Sequence, residues 1–384
     1  RKANHTGKSA IYYSRFDEYW RKEQKLGSLQ QYGDSGSVPW ERIAPDIKHS
    51  WLTRSLRPEF DSFTPIAARE AKAGSDQAPH VIFKAYSLGV ATNRDDWMYA
   101  DSSAELENRV RRFVTNYNFE LLRYHSQDEV PASKIEEFIN NEPSFVKWTD
   151  RLKTALLQNT KLEFSPGKVR PAIYRPFFKR WLYFDALLNQ RRYKQHLLFP
   201  TEESTTQNQA IAATGIGAQQ PFAAYPTTNV PDLNFFGTGT VPQWFPFYTY
   251  KDDGTNRREN ITDWALEQFR SHYADKSITK WDIFHYVYAV LHHSEYRERY
   301  AANLRRELPR IPFISASSGM KDIEVFRAFV KTGKRLAEIH VRYEDQPEYK
   351  LKKIEKPGKK LDYYVTKMRL SKDKTQIVYN DFLT

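Results

Sequence analysis

The stretch AIYRPFFKRWLYFD, residues 172–185, decides the fold class that the sequence predicts. Its two ends, residues 172–174 and 181–184, are short runs of aliphatic and aromatic residues, which is a composition typical of strands. Similar runs follow, after glycine and proline turns, at residues 209–213, 221–225 and 244–250. The sequence therefore predicts a β-rich region over residues 158–255.

Helical periodicity flanks this β-rich region on both sides. Ser102 and Glu105 match a capping box, and apolar residues then recur at helical spacing as far as Leu121. Further helices are predicted to begin at Pro131, Ser144, Thr262, Thr279, Ser294 and Asp322. The sequence thus predicts an α+β fold, in which one helical block precedes the β-rich region and a second follows it.

The two ends of the chain carry shorter patterns. The N-terminal part predicts a helix over residues 16–29 and strands at residues 10–13, 81–85 and 97–99. Near the C-terminus, residues 361–370 and 375–379 alternate as the two arms of a hairpin. These patterns add a small α/β segment and a terminal hairpin to the prediction.

Composition excludes several classes of protein. The 384 residues are 40% hydrophobic, 28% charged and 15% aromatic, which is a globular composition and excludes wholesale disorder. The chain contains no cysteine, so disulfide frameworks, thiol nucleophiles and thiolate metal sites are all excluded. The charge-poor stretch over residues 204–250 is interrupted by five prolines and many polar residues, so it is not expected to span a membrane. A reducing, cytoplasmic location is expected.

The formal net charge of +12 is concentrated in two places. Residues 168–194 carry eight basic side chains against Asp185, and residues 350–374 carry ten against three acidic ones, a net +7 in each segment. Clustered cations favour a nucleic-acid backbone, because each neutralised phosphate releases condensed counterions. For the second segment taken alone, a solvated lysine-rich face is the favoured interpretation.

Motifs for cofactor and phosphate binding do not match well. The sequence GKS at residues 7–9 has the ending of a phosphate-binding loop, but the first glycine of that loop is missing. FFGTG at residues 235–239 fits the F-x-G-x-G of S-adenosylmethionine binding in form, yet VPQWFP follows where a helix is needed. A glycine-rich connection between strands is therefore favoured. The proline-pair motif of amino-methyltransferases is absent, because the chain contains no Pro-Pro.

Metal-dependent motifs are equally weak. Pro231-Asp232 and Glu348-Tyr349-Lys350 lie too far apart in the chain for a compact nuclease site of the PD…ExK type. His292, His293 and Glu295 lack the i, i+4 histidine pairing of a zinc-binding helix. The sequence therefore predicts no catalytic residue and no metal site in this chain.

Several stretches, taken together and in order, resemble one known family. YRPFFKRWLYFD at residues 174–185 is similar to the YRPF…RW.Y.D segment in the C-terminal part of Type ISP restriction-modification enzymes. These enzymes join a nuclease, a helicase-like motor, an adenine methyltransferase and a target recognition domain in one polypeptide. Other segments that resemble this family lie at residues 92–99, 231–233, 245–248 and 286–312.

The resemblance implies a position within such an enzyme. Residues 1–100 would be the end of the methyltransferase region, 101–157 a helical block, and 158–384 a DNA target recognition domain. Within that domain, the expected parts are β-rich (158–255), helical (256–345) and a terminal hairpin (360–384). The chain begins at Arg1, and the nuclease, ATPase and methyl-transfer motifs are expected upstream of it.

The implied partners follow from that position. Double-stranded DNA and the upstream methyltransferase and helicase-like domains are the expected partners, and no membrane is expected. S-adenosylmethionine, ATP and Mg are expected only for the upstream domains, and no cofactor is expected for this chain. The fragment alone is expected to lack methyl-transfer and nuclease activity, although the parent would be an adenine-specific DNA methyltransferase and restriction endonuclease.

Two sets of residues are candidates for DNA contacts. Cations that alternate with aromatic rings can hold phosphates, and those expected to do so are Arg175, Lys179, Arg180, Arg191, Arg192 and Lys194. Side-chain amides match the donor and acceptor edge of adenine, and the candidates for base readout are Gln207, Asn208, Gln209, Gln219, Gln220 and Asn229. Core packing of the rings and turn formation by the amides are the competing interpretations.

Two other functions stay open from the sequence. The aromatic-rich helices over residues 262–339 could dock a protein, such as the parent's motor or methyltransferase domain. A complete DNA methyltransferase is the other alternative, and it would require this chain to bind S-adenosylmethionine. Salt-dependent binding of duplex DNA distinguishes a DNA-reading module from a protein-docking one.

Overall fold

The computed structural model describes the chain in several stretches. They are residues 9–17, 20–45, 51, 56–68, 80–127, 130–316, 319–358, 360, 364–365, 368–380 and 382–383. The chain divides into two compact units, Arg1–Val341 and Arg342–Thr384.

The described residues mix helices with several small sheets, which confirms the predicted α+β class. The helices are α1 (Lys22–Tyr32), α2 (Asp95–Met98), α3 (Ser103–His125), α4 (Ile135–Phe138), α5 (Asp150–Leu157), α6 (Gln195–Leu198), α7 (Glu202–Gln207), α8 (Asp263–His272), α9 (Lys280–His292), α10 (Ser294–Arg299), α11 (Ala301–Leu304) and α12 (Asp322–Val341).

The strands are short. They are β1 (Ile11–Tyr13), β2 (Glu41–Ile43), β3 (Thr64–Pro65), β4 (Tyr99–Ala100), β5 (Val169–Arg175), β6 (Phe178–Tyr183), β7 (Ala210–Thr214), β8 (Ala224–Thr227), β9 (Val230–Pro231), β10 (Pro242–Pro246), β11 (Tyr248–Thr249), β12 (Arg258–Glu259), β13 (Arg310–Ile311), β14 (Arg369–Leu370) and β15 (Ile377–Val378).

Two sheets organise the larger unit. A four-stranded sheet has the order β4-β6-β5-β9, in which β9 runs parallel to β5 and the other neighbours are antiparallel. A three-stranded antiparallel sheet has the order β10-β7-β8. The remaining sheets each pair two strands, and β3 with β13 joins residues far apart in sequence.

The three-stranded sheet separates two hydrophobic cores. Successive side chains of a strand point to opposite faces, and β7 follows this rule. Its residues Ala210 and Ala212 pack in the core that contains α3 and the four-stranded sheet. Ile211 and Ala213 pack in the core that contains α9 and α12. All five residues of β7 are buried, so this strand lies between the two cores and contributes side chains to both.

Local signals in the sequence located several helix starts correctly. Ser102 caps α3 by accepting a hydrogen bond from the amide of Glu105, and Thr262 caps α8 in the same way from Ala265. Thr279 and Asp282 form a capping box at the predicted start of α9. A side-chain oxygen at the N-cap satisfies an amide that has no partner within the helix, so these positions are recognisable from sequence.

Other predicted elements differ from the structure. The helix predicted from Ser144 begins at Asp150, because Thr149 provides the cap while the Ser144 hydroxyl donates to Glu142. The strand predicted at residues 97–99 is the end of α2 followed by β4. Residues 81–85 form only an isolated bridge, between Phe83 and Ile261.

The predicted terminal elements are present in shorter form. α1 starts later than the helix predicted over residues 16–29, of which residues 18–19 lie outside the described part of the chain. The terminal hairpin is formed by β14 and β15, and residues 361–363 and 366–367 of its predicted first arm also lie outside it. None of the described helices combines the length and apolar character that crossing a membrane requires.

The predicted domain boundaries at residues 100 and 157 stay predictions. Strands on either side of both boundaries pair with each other, since β4 pairs with β6 and β3 pairs with β13. The first 100 residues are therefore joined to the later regions through main-chain hydrogen bonds.

Candidate nucleic-acid interface

A cleft of about 770 Å³ lies at the end of the three-stranded sheet where β7 finishes. Its lining includes residues from the loop after β7, from the start of β10, from the chain after α11 and from the segment before α6: Gly215, Ile216, Ala218, Gly239, Val241, Gln243, Arg306, Glu307, Leu308, Arg310 and Tyr193. The cleft therefore combines the β-rich region with the chain that follows α11.

Glycines allow the loops of the cleft to approach each other. A Cβ on Gly215 would lie 2.3 Å from the carbonyl oxygen of Val241, so no larger residue fits there. Gly239 has a φ of +78°, and a Cβ on it would lie 2.7 Å from the side chain of Gln219. Both positions need glycine, one for a close backbone contact and the other for its left-handed conformation as well.

These glycines clarify the FFGTG motif at residues 235–239. The motif leads through turns into strand β10, and no helix follows it. Gly237, with a φ of +101°, belongs to the same connection. The interpretation of the motif as a glycine-rich connection between strands is therefore confirmed, and the arrangement lacks the helix N-terminus at which a cofactor phosphate or carboxylate would bind.

Much of the positive charge over residues 168–194 is paired within the chain. Lys168 forms an ion pair with Asp185 at 2.6 Å. Arg170 is buried, and its guanidinium donates to the carbonyl oxygens of Pro200 and Thr201. The net charge of this segment therefore overstates the number of cations that face solvent.

Arg175 lies at the turn between β5 and β6 and is tied to Asp232. Its Nη1 donates to the buried Asp232 carboxylate at 2.6 Å, and its guanidinium stacks 4.0 Å from the ring centroid of Tyr174. Burial raises the pKa of Asp232, and the neighbouring Arg175 opposes that rise. A phosphate would have to compete with a buried carboxylate for Arg175, and leaving that carboxylate unpaired is costly.

The other two candidates on β6 also have interactions within the chain. Arg180 forms an ion pair with Asp101, with its Nε 2.8 Å from the carboxylate. Lys179 is half-buried on the same strand and has a partner as well. Asp101 is 74% exposed, so this pair is open to solvent and is weaker than that of Arg175.

The remaining candidates, Arg191, Arg192 and Lys194, surround Tyr193, which lines the cleft. Arg191 is exposed, and its side chain has no partner among the described residues, while its backbone pairs with Ala91. Arg192 and Lys194 are half-buried, and burial lowers the pKa of each. Tyr193 is the residue of this segment that lines the cleft, and Arg191, Arg192 and Lys194 are its neighbours in the chain.

The predicted base readers fall into two groups at opposite ends of β7. Gln219 and Gln220 are exposed in the loop after β7, and their side-chain amides have no hydrogen bond to another described residue. The group before β7 comprises Gln207, Asn208 and Gln209, and Asn229 lies at the same end because β8 is antiparallel. A strand of five residues is roughly 16 Å long, so the two groups are separated.

The buried side chain of Asn208 forms hydrogen bonds to main-chain groups within the protein. It is 1% exposed, its amide donates to the carbonyl oxygens of Leu198 and Tyr248, and its oxygen accepts from the amides of Gln209 and Tyr248. Gln207 accepts a hydrogen bond from Arg257, and Asn229 lies in a turn closed by Thr227. Gln219 and Gln220 are therefore the candidates beside the cleft: the Gln219 side chain lies against Gly239 of its lining, and the main-chain amide of Gln220 donates to the Thr240 hydroxyl.

Two further features of the cleft escaped the sequence prediction. Gln243 on β10 lines the cleft, and its buried Oε1 has no partner among the described residues. Arg305 is exposed beside the cleft, where its carbonyl oxygen accepts from Gly217. Gln243 is a polar residue between Pro242 and Trp244 in an otherwise apolar strand, so its sequence context could have marked it as a candidate. The residues around Arg305 in the sequence give no indication that it lies next to the loop of Gly217.

Comparison with known proteins places the chain in a family. The Type ISP C-terminal specificity domain family matches residues 81–384. The chain belongs to this family, as the resemblance in its sequence predicted. A search of curated proteins gave no match.

Solved structures with the same fold include a DrdV–DNA complex and two Type ISP restriction-modification enzymes. The DrdV–DNA complex is 32% identical, with a TM-score of 0.80 over 98% of this chain and 36% of that one. A nuclease-deletion mutant of the Type ISP enzyme LlaGI with a DNA substrate mimic is 28% identical, with a TM-score of 0.76 over 97% and 32%. The DNA-bound Type ISP enzyme LlaBIII is 23% identical, with a TM-score of 0.78 over 100% and 23%, and shows likeness of fold.

The chain spans about a third of the length of the first two of these proteins. Among the described residues, no group of three or more metal-ligating side chains comes together. The cleft is lined by the amide of Gln243, the cations Arg306 and Arg310, the carboxylate of Glu307, and tyrosine and apolar side chains.

Proposed function

We propose that the chain is a sequence-specific duplex DNA recognition module of a single-polypeptide, ATP-dependent restriction-modification enzyme. Adenine methylation and DNA cleavage would be carried out by upstream domains of the same polypeptide, which would also bind S-adenosylmethionine, ATP and Mg. The observation that carries this proposal is the position of Gln219 and Gln220 in a loop beside one cleft, where the same loop is hydrogen-bonded to the main chain of Arg305. The side-chain amides of both glutamines have no hydrogen bond to another described residue.

Each group at the cleft has a separate task in this proposal. Cations on either side, Arg191 with its neighbours and Arg305, hold phosphates and fix the position of the duplex. The amides of Gln219 and Gln220 contact base edges, where an amide pairs with the N6 and N7 groups of adenine. The similarity to proteins solved with DNA supports the same ligand for this chain.

The alternative of a protein-docking module loses its main support. That alternative relies on an apolar face of the helices over residues 262–339. Large apolar side chains of α8 to α12 are buried or half-buried in the core, and none that the structure describes there is largely exposed. A helix with its apolar face inside the core has little left to offer a partner.

The proposal is tested by selection of bound sequences from random duplexes at physiological salt. We expect a consensus sequence, and an affinity for it that falls linearly with the logarithm of salt concentration. Absence of any consensus, or affinity indifferent to salt, would refute the proposal. Calorimetry with S-adenosylmethionine tests the alternative of a complete methyltransferase, for which binding of that cofactor is required.

A further inference from the structure

Ile216 has an exposed apolar side chain, and it lies in a loop whose backbone is hydrogen-bonded to other parts of the chain on either side of it. On one side, the amide of Gly215 donates to the carbonyl oxygen of Val241 at 3.1 Å. On the other, the amide of Gly217 donates to the carbonyl oxygen of Arg305 at 3.0 Å. The backbone around Ile216 is therefore fixed to the β-rich region and to the helical region together.

Backbone geometry accounts for glycine at residues 215 and 217, but it does not account for isoleucine at residue 216. Gly215 is required by its close approach to Val241, and Gly217 has a φ of +75°. Ile216 is 51% exposed, so core packing does not account for its size. A single exposed apolar residue is common on protein surfaces, so exposure alone indicates nothing. Ile216 also lines the cleft and lies close to Gln219 in the chain, and this position makes it a candidate for contact with a ligand.

The chemistry of the side chain limits what it can contact on DNA. Isoleucine neither donates nor accepts a hydrogen bond. Among the groups that base pairs present in the major groove, the apolar one is the C5-methyl of thymine. Branching at Cβ also restricts χ1, so little side-chain freedom is lost when the contact forms.

We propose that Ile216 is a specificity-determining residue that contacts the C5-methyl group of a thymine in the recognised sequence. This inference rests on the proposed function and adds the identity of one base to it. The amide of Gln219 or Gln220 would read a neighbouring base pair, and Arg305 would hold a phosphate beside the loop.

The test is a double-mutant cycle between the protein and the DNA. The full chain and its Ile216→Ala variant are measured on the selected sequence with thymine or uracil at each position in turn, since uracil lacks only the methyl group. Wild type should bind about fourfold more weakly when one particular thymine is replaced, which corresponds to the transfer of one buried methyl group. Ile216→Ala should bind the thymine duplex more weakly and should no longer distinguish uracil at that position.

Two further variants serve as controls. Ile216→Val keeps the branched side chain and should retain part of the discrimination. Leu122→Ala removes an apolar side chain that is 71% exposed on α3, and it should leave the discrimination unchanged. Thermal melts of all variants check that they fold.

Each other outcome overturns the proposal. Wild type that is indifferent to uracil at every position, or Ile216→Ala that discriminates as well as wild type, rules out the methyl contact. If Ile216→Ala binds all duplexes more weakly with no change at any thymine, the side chain instead acts as a wedge between base steps. Failure of the proposed function itself looks different, because wild type would then select no consensus sequence.

Discussion

Asn208 and Gln219 are amide side chains of the same charge-poor stretch, but burial gives them different roles. The amide of Asn208 makes its hydrogen bonds to the main chain inside the protein. Gln219 is exposed beside the cleft, against Gly239 of its lining, and its side-chain amide has no hydrogen bond to another described residue. Since a buried polar group is costly unless it is paired, the first amide is committed to folding and the second is available to a ligand.

We expect the double variant Gln219→Ala, Gln220→Ala to lose selectivity at one or two positions of the DNA site. A bidentate amide contact discriminates against a wrong base by about 1–3 kcal/mol, whereas non-specific affinity comes from phosphates that these neutral side chains barely contact. Selection from random duplexes with wild type and the variant measures the change. An unchanged preference in a folded variant would exclude both residues as readers.

The matched control is Asn208→Ala, which should lower the stability of the protein without changing its DNA selectivity. This variant leaves the carbonyl oxygens of Leu198 and Tyr248 without their amide donor, and each buried group left unpaired costs about 1–3 kcal/mol. We expect a lower melting temperature and an unchanged DNA preference in the protein that remains folded.

At the scale of the element, the contact between α9 and α12 depends on Gly333. A Cβ at this position would lie 2.0 Å from the carbonyl oxygen of His285 and 3.1 Å from the Cβ of Ala289. Backbone on a neighbouring helix cannot move aside as a flexible side chain can. The close approach of these two helices therefore requires the absence of a side chain at residue 333.

We expect Gly333→Ala to destabilise the protein by at least about 2 kcal/mol, because a methyl group inserted into a packed interface forces the helices apart. Chemical denaturation of wild type and variant measures the difference. Gly27→Ala is the control within a helix, since a Cβ there meets nothing within 4 Å. Alanine is the better helix former, so Gly27→Ala should be neutral or stabilising by up to about 1 kcal/mol. Equal stability of the two variants would contradict this account of the crossing.

Elements were predictable from sequence where a local interaction decides them. The caps at Ser102, Thr262 and Thr279 are each set by residues within one turn of the helix. The start of α5 was mispredicted because Ser144 and Thr149 are both acceptable caps by type. Thr149 additionally accepts a hydrogen bond from the buried Arg94, which is 55 residues away in sequence. Such a distant partner leaves no local signal.

At the scale of the molecule, the sequence predicted the family but not the cleft. The order of the motifs along the chain indicated the family, and the match of residues 81–384 to the Type ISP C-terminal specificity domain confirms it. The cleft is lined by Tyr193 together with residues from the loop after β7, from the start of β10 and from the chain after α11. These segments meet through tertiary hydrogen bonds such as that between Gly217 and Arg305, which no spacing in the sequence indicates.

The same separation explains why a cluster of charge in sequence is a poor guide to a charged surface. Asp185 is the one acidic residue within residues 168–194, so the segment looks uncompensated. Asp232 and Asp101 come from elsewhere in the chain to pair with Arg175 and Arg180. Folding therefore reduces the number of cations available to a polyanion, whereas exposed Arg191 has no side-chain partner among the described residues.

The exposure of Arg191 gives a prediction for the affinity of the whole molecule. Replacing Arg191, Arg192 and Lys194 together by alanine should weaken binding to all duplexes by a similar factor and flatten the dependence of log K on log salt concentration. Each lost phosphate contact reduces that slope by about 0.9, so the triple variant should lose up to about 2.7 and Arg191→Ala alone about 0.9. Arg335→Ala, which removes a charge that is 67% exposed on α12, should leave the slope unchanged. Because Arg192 and Lys194 are half-buried, Arg191→Ala is the decisive variant: an unaltered slope in that variant would exclude Arg191 as a phosphate contact, whatever the triple variant does.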